Sequence, residues 1–226
     1  MIREITDIYN RNLISIIGIN LIIVIPFTFF IFIAMNFFYG LETVEWKNLI
    51  AGFLVILNFT ALFPPFFSLA VHELRDQSIG MKKMINVFFD KFGYIVFFTL
   101  VIYMIGMLGY FLLFIPTVIA TMALLLIPLY TDKSSLKKSW ESAWGMIKQE
   151  NIFILLDVLI ILSLNVLVWS GSLYLVAGFE NNTFVYISMR VLLNAMFFPL
   201  IYFYLTIKYR KDLSEEYDNE ASRAGI

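Results

Sequence analysis

Cysteine does not occur in this sequence of 226 residues. Disulfides, thiolate metal sites and a cysteine nucleophile are therefore excluded, whatever compartment the chain occupies. Charge is scarce too: Asp, Glu, Lys and Arg make up 15% of the residues, against about a quarter in a soluble domain. The 16 basic and 17 acidic residues nearly cancel. No basic face offers itself to nucleic acid, and the balance singles out no other partner. The one histidine, His72, stands in "AVHELRDQ", which lacks the second histidine of an HExxH zinc helix. There is no GxSxG, no phosphate-binding glycine loop and no deep pair of carboxylates. No catalytic residue, metal or cofactor is assigned. His72 and Glu73 could form an acid–base couple, but catalysis also needs a positioned nucleophile or metal. Their simpler role is a polar cluster that ends a span at headgroup level.

What the sequence does contain is apolar. Hydrophobic residues reach 61% and the mean hydropathy is +0.84. They run in long blocks without charge, the mark of transmembrane helices. "MIREITDIYNRN" mixes both charge signs, and the run behind it is too long for a signal-peptide core, so a retained first span is expected. The blocks are residues 13–39, 49–71, 94–130, 152–177 and 184–207. The third would be about 55 Å long as one helix, against a hydrocarbon core of about 30 Å. It is expected to split into spans 94–113 and 116–130 joined by a hairpin at "LLFIPTV", because Pro116 lacks an amide proton and disfavours helix at Ile115. The expected fold is all-α, an integral membrane bundle of six transmembrane helices, with residues 1–211 as one domain and 212–226 as an acidic tail.

Charge placement supports that count. With the N-terminus inside, residues 1–12, 72–93, 131–151 and 208–226 carry 2, 4, 4 and 4 Lys plus Arg, whereas the outer loops carry only Lys47. This is the bias of the positive-inside rule, and five spans would place Lys133, Lys137, Lys138 and Lys148 outside. Both termini are thus expected to be cytoplasmic. The basic "KYRK" is expected to anchor the last helix at anionic headgroups, and the acidic residues behind it to be disordered.

Two or three amphipathic interfacial helices complete the expected fold. In "SSLKKSWESAWGMIKQENIFILL", Leu136, Trp140, Trp144 and Ile147 share one helical face, and Ser134 or Ser135 can cap the start. Tryptophan favours the headgroup level, so Trp140 and Trp144 are candidate interfacial anchors. The same face could equally pack on the protein's own spans. A related unit lies 55 residues earlier, "GMKKMINVFFDKFGYIVFF", where Met81, Ile85, Phe89 and Phe92 match the same four positions. A weaker third copy has Ile2, Ile5, Ile8 and Tyr9.

Ionisable residues inside spans are candidate functional groups. Arg190 lies roughly 9 Å below the outer end of its span and Asp157 roughly 8 Å above the inner end of its own. The offset, roughly 13 Å in a core of about 30 Å, disfavours a direct ion pair. Asn165 matches Arg190 in depth, and Asn194 lies between the two charges. Asp157, Asn165, Arg190 and Asn194 form either a polar strip that admits a polar solute or a set of interhelical hydrogen bonds with Arg190 snorkelling outward. Gly106 and Gly109 in "IGMLGY" allow close helix contact in the hairpin.

"IPTVIATMALLLIPLY" followed by "SSLKKSWESAWGMIKQENIFILL" resembles the YciC-like group of bacterial membrane proteins, in which a proline-containing hairpin precedes an amphipathic segment and a further span. "FPPFFSLAVHELRDQSIGMKKMINVFFDKFGYI" is similar to the YesL family, with its proline-marked span, short basic linker and aromatic helix. The likeness covers roughly residues 60 to 165. It implies a bacterial inner-membrane location and carries over no catalytic residues. The function expected is that of a non-enzymatic accessory or scaffold. Its partners would be the lipid bilayer and another membrane protein or further copies of the chain. A small transporter or permease component, using the polar strip, is the alternative.

Overall fold

The structure, a computed structural model, describes residues 1–43, 45–109, 112, 114–133, 135–176 and 182–210. All regular structure among these residues is helical: α1 (Ile2–Arg11), α2 (Leu13–Ile19), α3 (Ile25–Gly40), α4 (Lys47–Ala61), α5 (Phe63–Leu74), α6 (Met81–Gly109), α7 (Ile115–Leu126), α8 (Leu136–Val176) and α9 (Thr183–Tyr209). A π-helical turn, Asn20–Val24, joins α2 to α3, and a 3-10 turn, Ile127–Tyr130, follows α7. Among the described residues five stretches are long and apolar enough to cross a bilayer: Leu13–Gly40, Lys47–Leu74, Met81–Gly109, Lys137–Leu175 and Thr183–Tyr209. Ile115–Tyr130 is apolar but short. The acidic tail lies outside the described residues.

Prolines set the breaks. Pro26 lacks the proton that would bond the Ile22 carbonyl, and the turn before it loosens to π, with the Ile25 amide bonding Asn20 O five residues back. Pro64 and Pro65 likewise leave the end of α4 without its next-turn donors, and the chain bends at Leu62 between α4 and α5. Tyr202 of α9 packs at this bend, its hydroxyl donating to Phe59 O at 2.7 Å. Its ring packs on Phe63 and Phe59, with centroids 4.5 and 5.1 Å away. This aromatic seam between α5 and α9 is the centre of the core, with Phe66, Phe198 and Phe203 around it.

The apolar block 94–130 turns back on itself as its length required, but its boundaries differ from expectation. The first helix starts at Met81 rather than Tyr94 and ends at Gly109, because nothing between Lys91 and Tyr94 breaks it. Helix α7 begins at Ile115, with Pro116 in its first turn, where an amide proton would have no partner. Phe114 takes a left-handed φ of 62° at the turn. A Cβ on Gly109 would meet Thr117 N at 2.6 Å, and one on Gly106 would meet Ala120 Cβ at 3.1 Å. Three residues back along α6 thus correspond to three forward along α7, which makes the pair antiparallel. Thr117 Oγ1 also donates to Gly106 O at 2.7 Å.

Helix α8 spans 41 residues, about 62 Å at 1.5 Å per residue. It joins the tryptophan segment to the following span, with a kink at Glu150 (φ −119°, ψ 25°). Asn151 recaps the helix past the kink, Oδ1 accepting from Ile152 N at 2.6 Å. Ser135 caps the start, its Oγ accepting from Lys138 N at 3.3 Å; Ser134, the alternative, lies outside the described residues.

Polar contacts gather the chain at one end of the bundle. Glu73 at the end of α5 accepts from Arg11 Nη1 (3.1 Å) and Asn12 Nδ2 (3.0 Å). His72 contacts Ser68 O through Nδ1 (2.7 Å) and Lys83 Nζ through Nε2 (3.0 Å). An ammonium only donates, so Nε2 is the acceptor and Nδ1 carries the proton. The three carbonyls that end the 3-10 turn are each capped by a side chain. Thr131 Oγ1 donates to Pro128 O, Arg210 Nη1 to Leu129 O and Ser139 Oγ to Tyr130 O. Helix ends need such partners where water is absent.

Candidate intramembrane site

Arg190 occupies the second turn of α9, on a helix whose neighbouring side chains are apolar. A guanidinium there must find acceptors or aromatic faces, because hydrocarbon offers none. It has both. Nη2 donates to Asn165 Oδ1 of α8 at 2.6 Å. The guanidinium carbon lies 4.8 Å from the Trp169 ring centroid and 5.9 Å from that of Phe32. Trp169 stands four residues after Asn165, one turn along the same face, so α8 presents an amide and an aromatic face together. Among the described residues no carboxylate pairs with Arg190.

Beside this group lies a cavity of about 150 Å³. Asn58, Asn165, Arg190 and Asn194 border it, with Leu124, Leu125, Val158 and Phe198 supplying apolar wall. Asn194 is 5% exposed and makes no hydrogen bond to the described residues. Asn58 accepts from Thr28 Oγ1 at 3.1 Å through its Oδ1. The nearby Asn20 donates to Ala195 O at 2.9 Å and joins the loosened turn of the first span to α9.

Asp157 is elsewhere. Of the four expected strip residues, Asn165, Arg190 and Asn194 come together, and Asp157 forms a separate cluster. It is 2% exposed and accepts from three side chains of α9: Tyr204 Oη (2.7 Å), Lys208 Nζ (2.8 Å to each oxygen) and Tyr209 Oη (2.5 Å). Lys208 follows Arg190 by 18 residues, about 27 Å along the helix. The spacing of Tyr204, Lys208 and Tyr209 held a signal, since i, i+4 and i+5 place three donors on one side of the last turns. It was hidden because Lys208 read as an anchor for lipid.

Arg210 corrects the same expectation. In place of a headgroup contact, it is 1% exposed and forms a bidentate pair with Asp132, 2.9 Å on each arm. Its guanidinium also lies 5.4 Å from the Phe67 ring and 5.1 Å from that of Tyr130. A planar fork matches a carboxylate and stacks on aromatics, which a flexible ammonium does not. Lys211 lies outside the described residues.

The tryptophan helix buries a face rotated from the expected one, keeping Ile147 and leaving Trp144 half-buried against the core. Ser139, Ala143 and Ile147 are its buried positions, each four residues from the next. Trp140 and Trp144 stand one residue later, about 100° round the helix. Their rings stack with centroids 6.2 Å apart and planes 9° apart, and Trp140 is 37% exposed. Lys148 Nζ lies 5.7 Å from the Trp144 centroid. Residue size explains the offset, since serine and alanine let α8 approach the 3-10 turn where an indole would not fit. The earlier unit has the same register, with Met84 and Phe88, 55 residues before Ser139 and Ala143, as its buried pair.

Among the described residues no three His, Asp or Glu side chains converge, so none is assigned to a metal. Comparison with protein-family models, curated proteins and solved structures gave no match.

Proposed function

We propose that this chain is a non-enzymatic, multi-pass protein of a bacterial cytoplasmic membrane that works as an accessory or scaffold for another membrane protein or for the local bilayer. The observation that carries this reading is the tryptophan pair of α8. It stands stacked and partly exposed beside a buried face made of other residues. A rigid aromatic pair at the edge of the core, with Trp140 partly exposed and Trp144 half-buried against it, suits a headgroup-level anchor or a partner's surface. In this reading α7 with its 3-10 turn is a further span that brings the count to six, both termini are cytoplasmic, and α1 and the first turns of α6 and α8 lie at the inner interface. The gathering of Arg11, Glu73, Lys83, Asp132 and Arg210 at one end of the bundle favours that arrangement. His72 and Glu73 are engaged by Ser68, Lys83, Arg11 and Asn12, contacts that support reading them as a joint between helices. The likeness to the YciC-like group and the YesL family belongs to the same proposal.

Extraction from the native membrane in polymer-bounded lipid discs, followed by mass spectrometry, tests it. A second membrane protein in fixed stoichiometry is expected, lost when Trp140 and Trp144 are both changed to alanine. A chain isolated alone, unaffected by that double change, would move the reading to the second one, a small transporter or permease component. The cavity beside Arg190 is what favours that alternative.

A further inference from the structure

The cavity beside Arg190 holds more hydrogen-bond donors than the described chain uses. A guanidinium carries five N–H groups, and the structure gives Arg190 one hydrogen bond, to Asn165. Asn194, more than nine-tenths buried, borders the same space with its amide unpaired among the described residues. Asn58 accepts from Thr28, while its Nδ2 donors find no described acceptor. Unpaired donors in a low-dielectric interior are costly, and an uncompensated cation more so. The unpaired N–H groups of Arg190, Asn194 and Asn58 call for an acceptor, and the charge calls for an anionic one.

The remaining wall describes the rest of the ligand. It is mostly apolar, with Leu124, Leu125, Val158 and Phe198, and its two hydroxyls are already engaged, Thr60 with Ile56 O and Thr99, and Thr121 with Thr117 O. Val55 and Leu162 border the cavity and are 40% and 55% exposed on the outside of the bundle, so the space opens sideways. A volume of about 150 Å³ suits a guest of roughly benzene size. That holds a charged group and a few carbons while a longer tail stays among the surrounding acyl chains. Arg190 is seven residues from the start of α9, about 10 Å along the axis, within reach of an oxyanion that sinks slightly below the headgroups.

We propose that this cavity binds the oxyanion end of an anionic amphiphile that enters from the bilayer. Arg190 is the counter-charge, held in place by Asn165, Trp169 and Phe32, and Asn194 and Asn58 are further donors. A carboxylate or phosphate oxygen pair matches the free arm of the guanidinium. The oxyanion could belong to a free fatty acid or to a bilayer phospholipid. The inference rests on the cavity and not on the accessory reading. It requires binding but not transport, so a null flux assay leaves it intact.

Trp169 touches Arg190 and serves as the reporter. The full-length chain is reconstituted in phosphatidylcholine vesicles, under mildly alkaline conditions that keep carboxyl groups ionised. Brominated oleic acid, brominated phosphatidylglycerol and brominated phosphatidylcholine are compared at equal mole fraction. Quenching of Trp169 is the difference between the natural chain and Trp169→Phe. At least one anionic probe is expected to quench at several-fold lower mole fraction than brominated phosphatidylcholine. Arg190→Gln and Asn194→Leu should each remove that preference. Preference for the fatty acid identifies a free carboxylate, and preference for phosphatidylglycerol identifies a bilayer lipid. Equal quenching by all three probes overturns the inference, as does a preference that survives Asn194→Leu. That second variant loses no described hydrogen bond, so it remains informative if Arg190→Gln fails to fold.

Discussion

Arg210 and Arg190 show how differently two buried arginines can be treated. Arg210 has a bidentate carboxylate, a backbone carbonyl and two aromatic faces, whereas Arg190 has one amide and two aromatic faces. The first arrangement is self-sufficient and therefore structural. Breaking a buried pair by removing one partner costs more than the pair itself contributes. Because Asp132 is 36% exposed and can rehydrate, Arg210→Met is expected to lower the stability of the detergent-solubilised chain by about 1–3 kcal/mol, the cost of leaving the Leu129 carbonyl without its donor, and Arg210→Lys by a smaller amount because charge is kept and the fork is lost. Thermal unfolding monitored by tryptophan fluorescence measures both; an unchanged midpoint for Arg210→Met would remove Arg210 from the list of structural charges. Both arginines were visible in the sequence as basic residues in or near a span. Their opposite treatment was not, because Asp132 lies 78 positions from Arg210 and no local pattern connects them.

At the scale of the element, the α6–α7 hairpin depends on one glycine. A methyl group at Gly109 would collide with the backbone of Thr117, which cannot move aside as a flexible side chain could. Gly93, on the same helix, has nothing within 4 Å of the corresponding position. Gly109→Ala is therefore expected to cost about 1–3 kcal/mol by overpacking. Gly93→Ala should be neutral or stabilise by about 0.5–1 kcal/mol, the helix-propensity difference between the two residues. Equal effects at the two sites would show that the close approach at Gly109 is absent. The hairpin itself was legible, because a block too long for one crossing with a proline inside must turn. Its boundaries were less so, since a helix of apolar residues has no marker for where the interfacial part ends and the buried part begins. The tryptophan helix shows a related blindness. Trp140 and Trp144 carry far more apolar area than Ser139 and Ala143, yet the small residues face the core because the neighbouring turn comes so close.

At the scale of the whole molecule, topology is the property most open to direct measurement, since a chain without cysteine accepts single reporter thiols with no background. In the proposed orientation, Glu42→Cys should react with a membrane-impermeant maleimide in intact cells, and Lys137→Cys only after permeabilisation. Labelling of Lys137→Cys from outside would exclude the six-span arrangement, because it follows if residues 94–130 cross only once. Composition and block length by themselves pointed to an all-α membrane bundle, and among the described residues every regular element is helical, with five stretches long enough to cross a bilayer where six spans were expected. Backbone groups in lipid must be satisfied internally, by helices or closed barrels, and apolar blocks of about 20 residues or more suit the helix. Pairing was decided only by tertiary structure. Asp157 met Lys208 and two tyrosines instead of sharing a strip with Arg190, Asp132 took Arg210, and Asn194 was left facing a cavity. Which polar groups meet depends on how helices rotate and slide against one another, and that is set by side-chain shape across the contacts rather than by periodicity along any one of them.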